Sequence, residues 1–131
     1  MILVDTAALL ALKDGDDRAH AMAERALDEI ADRPLGITNY VVSETLSLVS
    51  RRLGMQHARE IQQHAIQAMT IMWTTPLEHA AAIEAFLDSG RAMSFVDCAT
   101  MATMRSRGID TIFTFDEGFA RAGFTVLPSP D

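Results

Sequence analysis

Apolar and polar positions along this chain switch repeatedly between two periods. Residues 2–4 (Ile-Leu-Val) form an uninterrupted apolar run, as a strand buried on both faces does, and a helical pattern over 6–12 follows at once. The stretch 13–17 (KDGDD) reads as a turn, with Asp16 or Asp17 placed to cap a helix over 20–33 that Pro34 ends. Residues 35–38 predict the next strand. Asn39 is placed to cap a helix over 40–53, closed by Gly54. A helix over 55–69 carries Met55, Ala58, Ile61, Ala65 and Ala68 on one stripe. A strand is expected over 71–75, and Pro76 opens a helix over 77–90. A further helix over 94–108 ends at Gly108. Beyond it come a strand over 111–115, a short helix over 116–123 and a last strand over 124–127.

Short β-rich runs between longer helices predict βα units around a parallel sheet. Ligands in such sheets bind at the carboxyl ends of the strands. No Pro/Ser/Gly-rich linker, low-complexity tract or repeat interrupts the 131 residues, so one domain is expected. A domain of that size hides roughly two-thirds of its unfolded surface. No apolar run reaches 18 residues, so no membrane span is expected. The N-terminus lacks a basic segment before a long apolar one, so it does not read as a secretory signal. One cysteine, Cys98, excludes an internal disulfide and fits a cytoplasmic location. With no CxxC or HxxxH spacing, a zinc site is not expected.

Net charge changes the picture. At −7, generic adhesion to nucleic acid or an anionic membrane is disfavoured. A polyanion would have to meet a local patch drawn from ten Arg and one Lys, Lys13. Arg51, Arg52, Arg105 and Arg107 are candidates for phosphate contact, although solvated helix ends carry the same residues.

Four acids stand where a globular protein rarely puts them. Asp5 interrupts the passage from the first apolar run to the second, and Asp116 likewise follows a strand-like run; each could simply cap the helix after it. Glu44 lies at the edge of the apolar arc of its helix, beside Leu48 and Arg51, where an ordinary solvated acid or an ion pair with Arg51 would also sit. Ser94 and Asp97 have the spacing of a capping box, worth about 1 kcal/mol. Yet Asp97 shares a stripe with Met101 and Met104 on a helix that is apolar or small nearly all round. Jointly the four predict an acidic pocket at the carboxyl ends of the strands. Two carboxylates ~4 Å apart repel by about 4 kcal/mol at an effective dielectric near 20. Such acids take up protons, sit apart, or hold a cation. All-oxygen ligands suit Mg²⁺ or Mn²⁺, and these ions favour phosphate chemistry.

The succession VDT (4–6), SE (43–44), SFVDC (94–98) and TFDEGF (114–119) resembles the PIN-domain ribonucleases, and among them the VapC toxins of toxin–antitoxin pairs. The resemblance spans essentially the whole chain. It implies a three-layer α/β/α domain with a parallel sheet of about five strands. It implies a catalytic and metal-binding set of Asp5, Glu44, Asp97 and Asp116, with supporting hydroxyls on Thr6 and Thr114. It further implies Mg²⁺- or Mn²⁺-dependent cleavage of RNA by an activated water, a homodimer, and inhibition by a cognate antitoxin. All four acids of the pattern are present.

Other residues are assigned to structure. The histidines sit on amphipathic helices, with Glu60 and His64 spaced as a surface pair. Cys98 is expected to be a buried inert thiol, the eight methionines mostly core filler, and Trp73 core, with base stacking as its alternative. The apolar side of the helices over 40–70 would serve either a dimer contact or the sheet. Two rival functions remain. A phosphoacceptor receiver domain also clusters acids around Mg²⁺ but needs a lysine at the end of a late strand, and Lys13 is in the wrong place. A non-catalytic PIN-like interaction module would use the same acids to bind a partner's arginines.

Overall fold

In the computed structural model, which describes residues 1–129, five strands form one parallel sheet. They are β1 (Ile2–Val4), β2 (Leu35–Thr38), β3 (Thr70–Met72), β4 (Thr111–Phe113) and β5 (Thr125–Leu127), in the spatial order β3-β2-β1-β4-β5. Seven helices connect and cover them: α1 (Thr6–Lys13), α2 (His20–Ile30), α3 (Asn39–Leu53), α4 (Met55–His64), α5 (Pro76–Asp88), α6 (Phe95–Arg107) and α7 (Gly118–Arg121).

Register and alternation build the three layers. Leu3 pairs with Gly36 on one side and Ile112 on the other, so β1 is the central strand. Successive side chains point to opposite faces of a strand. Ile2, Val4, Ile37 and Phe113 therefore pack under α1–α4, while Leu3 and Ile112 meet Met101, Met104 and Phe119 on the other face. Each of these strand side chains is at most 1% exposed, and full burial of one stabilises the fold by about 1.5–3 kcal/mol. Gly36 is small for a packing reason: a Cβ there would lie 2.9 Å from Met1 Sδ and 3.0 Å from Leu3 Cδ2. From β1 the chain first adds strands on one flank, then crosses to add β4 and β5 on the other. The switch falls between β1 and β4, where an open α/β sheet leaves a crevice.

Several local expectations need correction. Thr38, not Asn39, caps α3, its Oγ1 accepting from Val41 N; Asn39 Oδ1 instead accepts from Thr74 N at 2.8 Å. That bond draws residues 73–75 out of the sheet, and Thr75 then starts α5 through a complete capping box with Glu78. Ala19 occupies the N-cap position of α2, with Asp17 Oδ1 accepting from its amide. The helix expected over 55–69 breaks at Ala65 into α4 and a 3₁₀ turn, Ile66–Ala68. Trp73 is 68% exposed, not core. Of the methionines only Met101 and Met104 are fully buried. Glu60 pairs with Lys13 rather than His64. The apolar stripe of α3 and α4 is used inside the chain, where Val41, Val49, Ala58 and Ile61 join the core. Among the described residues no helix is long and apolar enough to cross a membrane.

Candidate functional site

The switch-point crevice is where the awkward acids meet. Asp5 leaves the end of β1 with its amide bonded to Phe113 O at 3.0 Å, which ties it to the end of β4. Its carboxylate does not cap α1 through the amide of Ala7 or Ala8, the bond that its position suggests. Thr114 Oγ1 donates to Asp5 Oδ2 at 2.7 Å, and the same oxygen accepts from Asp116 N at 3.0 Å. One hydroxyl thereby sets the spacing of two acids that lie just beyond the ends of neighbouring strands. Asp116 Oδ1 in turn accepts from Gly118 N at 2.8 Å. A Cβ on Gly118 would stand 3.1 Å from that oxygen, so the glycine makes room for the carboxylate.

Asp97 comes from the first turn of α6, which Ser94 caps by accepting from Asp97 N at 3.1 Å. Its carboxyl reaches Asp116 closely enough to share a hydrogen bond and also faces the charge of Asp5. Glu44, in the second turn of α3, adds its charge near Asp5. The predicted quartet is thus one electrostatic cluster. Thr6, expected to support the site, is placed differently. Its Oγ1 accepts from Thr45 Oγ1 at 3.2 Å, a bond that joins α1 to α3 next to Glu44. Thr45 was not singled out by the sequence reading, and its register beside Glu44 was the available signal.

Burial gives the cluster its energetics. Asp5 is 3% exposed, and burial pushes its pKa from 3.8 up to about 6, against the lowering effect of the Thr114 hydroxyl and the Thr6 backbone amide. Asp97 is pushed up as well, first by burial, then by the shared hydrogen bond with Asp116 and the charges of Asp5 and Asp116. No Lys or Arg forms an ion pair with any of the four acids among the described residues. A buried carboxylate without a cation either holds a proton or holds a metal. The donors are oxygens only, as hard divalent ions prefer. In the present rotamers no three His, Cys, Asp or Glu side chains among the described residues converge on one ligating point. The charge and donor chemistry fit a divalent ion, and small rotations of Asp97 or Glu44 would have to complete its shell.

The arginines divide. Arg51 and Arg52 are exposed at the end of α3, about 11 Å along the helix axis from Glu44. Arg105 lies over the ring of Phe124, 5.2 Å from its centroid, just before β5 and so toward the N-terminal edge of the strands. Arg107 is committed elsewhere. Its guanidinium bonds both carboxylate oxygens of Glu78, at 3.0 and 2.9 Å, and the carbonyl of Trp73. Glu78 is 5% exposed and also accepts from Ser106, and the guanidinium holds its pKa down to about 2. That pair staples α5 to α6, which removes Arg107 from the candidate phosphate contacts.

Comparison with known proteins places this geometry. Residues 2–125 match the model of a family described as PIN domain. A curated relative, the 23S rRNA-specific endonuclease VapC20 of Mycobacterium tuberculosis, is 35% identical over 130 residues, covering 95% of each chain. The crystal structure of Mycobacterium tuberculosis VapC20, described as a Sarcin-Ricin loop cleaving toxin, superposes with a TM-score of 0.86 at 30% identity. That match covers 95% of this chain and 97% of the other. A toxin–antitoxin complex from Klebsiella pneumoniae shares the fold, with a TM-score of 0.69 at 18% identity over 97% and 96% of the two chains.

Proposed function

The chain belongs to the PIN-domain family, and from that premise we propose that it is a metal-dependent endoribonuclease, the toxin of a toxin–antitoxin pair. The observation that carries the reading is the buried Asp5 carboxylate, without a cation partner and ringed by Glu44, Asp97 and Asp116 at the switch point of the sheet. The VapC20 relative supports RNA as substrate and ribosomal RNA as the first to try.

In this reading Asp5, Glu44, Asp97 and Asp116 hold Mg²⁺ or Mn²⁺. The ion, when bound, supplies positive charge at the scissile phosphate and acidifies the attacking water. The protein's part is to position the donors. Thr114 fixes Asp5 relative to Asp116, Gly118 N–H orients Asp116, and the capped start of α6 presents Asp97. The raised pKa of Asp5 and Asp97 makes the site release protons as it takes up metal. Of the four arginines named from the sequence, Arg51 and Arg52 remain exposed for RNA beyond Glu44 on α3, while Arg105 lies over Phe124 toward the other edge of the strands.

Two protein partners belong to the proposal. The Klebsiella pneumoniae complex supports an antitoxin, whose basic groups would suit an acidic cleft on a chain of net charge −7. A second copy of this chain is supported by the outer face of α5. There Leu77 and Leu87 are 84% and 71% exposed, with Ala80, Ala81 and Ile83 exposed between them. Sedimentation of the wild type and of Leu77→Glu/Leu87→Glu would show that contact as a loss of dimer.

The test of the activity is cleavage of ribosomal and total cellular RNA by the partner-free protein in Mn²⁺, Mg²⁺ and EDTA, beside Glu44→Gln prepared identically. Metal-dependent cutting lost in the variant is expected. Equal cutting by both would reveal a contaminant, and none by either would favour the non-catalytic interaction module.

A further inference from the structure

Next to the acids, on the side away from Glu44, the surface opens into a second cleft of about 390 Å³. Thr114 and Asp116 form its inner edge, Phe115, Met22, Val126 and Pro128 line it, and Arg121 stands at its rim. The cleft is thus continuous with the catalytic cluster through the same Thr114 that bonds Asp5 and Asp116.

Its lining is unusual for a surface beside four acids. Phe115 directly follows the Thr114 hydroxyl and is only half-buried, its ring held edge-on by Phe113 with centroids 6.2 Å apart. Met22 on α2 is 41% exposed although its neighbours Ala23 and Ala26 are in the core. Phe115 and Val126 pack one side against the core and, with Met22 and Pro128, leave apolar surface facing the cleft. They offer a face to something flat and apolar that arrives with the substrate. Arg121 gives that something a charge. It is 68% exposed, its contact with the almost fully exposed Glu117 is long at 3.5 Å, and its Nη2 comes 3.8 Å from where a Cβ of Gly118 would be. An ion pair that exposed holds little, so the guanidinium is available to a phosphate.

We propose that this cleft is the subsite for an unstacked nucleobase of single-stranded RNA, adjoining the phosphodiester presented to the acids. Phe115 is the stacking face, and Arg121 contacts a flanking phosphate. The proposal rests on the ribonuclease reading above and deepens it by naming the side chains that hold the base beside the cut. Sequence-specific RNA recognition works on splayed bases because the grooves of a duplex hide their edges, and aromatic side chains hold such bases. A cleft of this size and composition takes one base, with edge contacts left to Ser129 and the Asp116 turn.

The test uses a single-stranded RNA hexanucleotide carrying one 2-aminopurine, mixed with the wild-type protein in Mg²⁺ by stopped flow so that fluorescence is read before cleavage. Phe115→Leu stays apolar without a ring and Arg121→Gln stays polar without the charge; thermal melts establish that both fold. Phe115→Leu is expected to lose the stacking quench and weaken binding roughly 5- to 100-fold. In ribosomal RNA cleavage it should raise KM and relax the choice of cutting position. Arg121→Gln should weaken binding about tenfold and reduce the slope of log Kd against log salt by about one. A quench and Kd in Phe115→Leu within twofold of wild type would overturn the subsite, whatever the activity. Failure of the wild type to cut any RNA with metal present would count against the ribonuclease reading instead.

Discussion

Replacing Asp5 by Asn should make the metal-free protein more stable at neutral pH, and the structure sets the size of the effect. The carboxyl is 3% exposed and its pKa rises from 3.8 to about 6 on folding. Because the folded value is the higher one, the folded state holds the proton more tightly. Stability is therefore fully present below pH 4 and is lost as pH rises through 6, the reverse of an ion-paired aspartate. About two pH units at 1.36 kcal/mol each give roughly 3 kcal/mol at pH 7.5. Asn at this position still accepts from Thr114 Oγ1 and carries no charge. The assay is urea unfolding of wild type and Asp5→Asn in EDTA at pH 4.5, 6 and 7.5. The variant's advantage should grow from about 1 kcal/mol at pH 4.5 to about 3 kcal/mol, or ~10 °C in Tm, at pH 7.5. Glu78 does not disturb the comparison, since its pKa is held at about 2 in both proteins. Parallel stability curves across this range would refute the argument that Asp5 is a desolvated, unpaired carboxylate.

Three further outcomes follow from the same geometry. Millimolar Mg²⁺ or Mn²⁺ should raise the Tm of the wild type at pH 7.5, and Asp97→Asn should lose most of that rise while melting no lower than wild type in EDTA; a full rise in the variant would remove Asp97 from the ligands. Arg107→Ala should cost about 3–5 kcal/mol by stranding the buried Glu78 carboxylate, and adding Glu78→Gln should recover part of it, as chemical denaturation of the single and double variants would show. Gly118→Ala should cut RNA at least tenfold more slowly at unchanged Tm, because its Cβ crowds Asp116 Oδ1 at 3.1 Å; normal kcat would mean that Asp116 tolerates displacement.

Much of the fold was legible because it rests on local signals. The three-residue run Ile2–Val4 has no polar position and so had to be a strand covered on both faces, and the βα rhythm then implied a parallel sheet. Gly54 and Gly108, with φ of 102° and 67°, end α3 and α6 where the sequence places them. Boundaries failed where a distant partner decided them. Residues 73–75 carry strand-like side chains, but Asn39, 35 residues away, takes the amide of Thr74. Trp73 looks like core by composition, yet β3 is the edge strand of the sheet and leaves it in solvent.

The candidate site divides in the same way. The chain by itself determines which acids are out of place, because Asp5 and Asp116 interrupt or end apolar runs and Asp97 lies on an otherwise apolar and small helix. It also determines the oxygen-only donor set, since no Cys–His spacing competes with it. Only the tertiary structure decides that Thr114 bridges Asp5 across 109 residues, or that Arg107 answers Glu78 and not a phosphate. Only it places Phe115, Met22 and Arg121 around one cleft. The physical reason is range. Periodicity and capping act over a few residues and leave their mark in sequence, whereas desolvation and charge pairing depend on which distant segments the sheet order brings together.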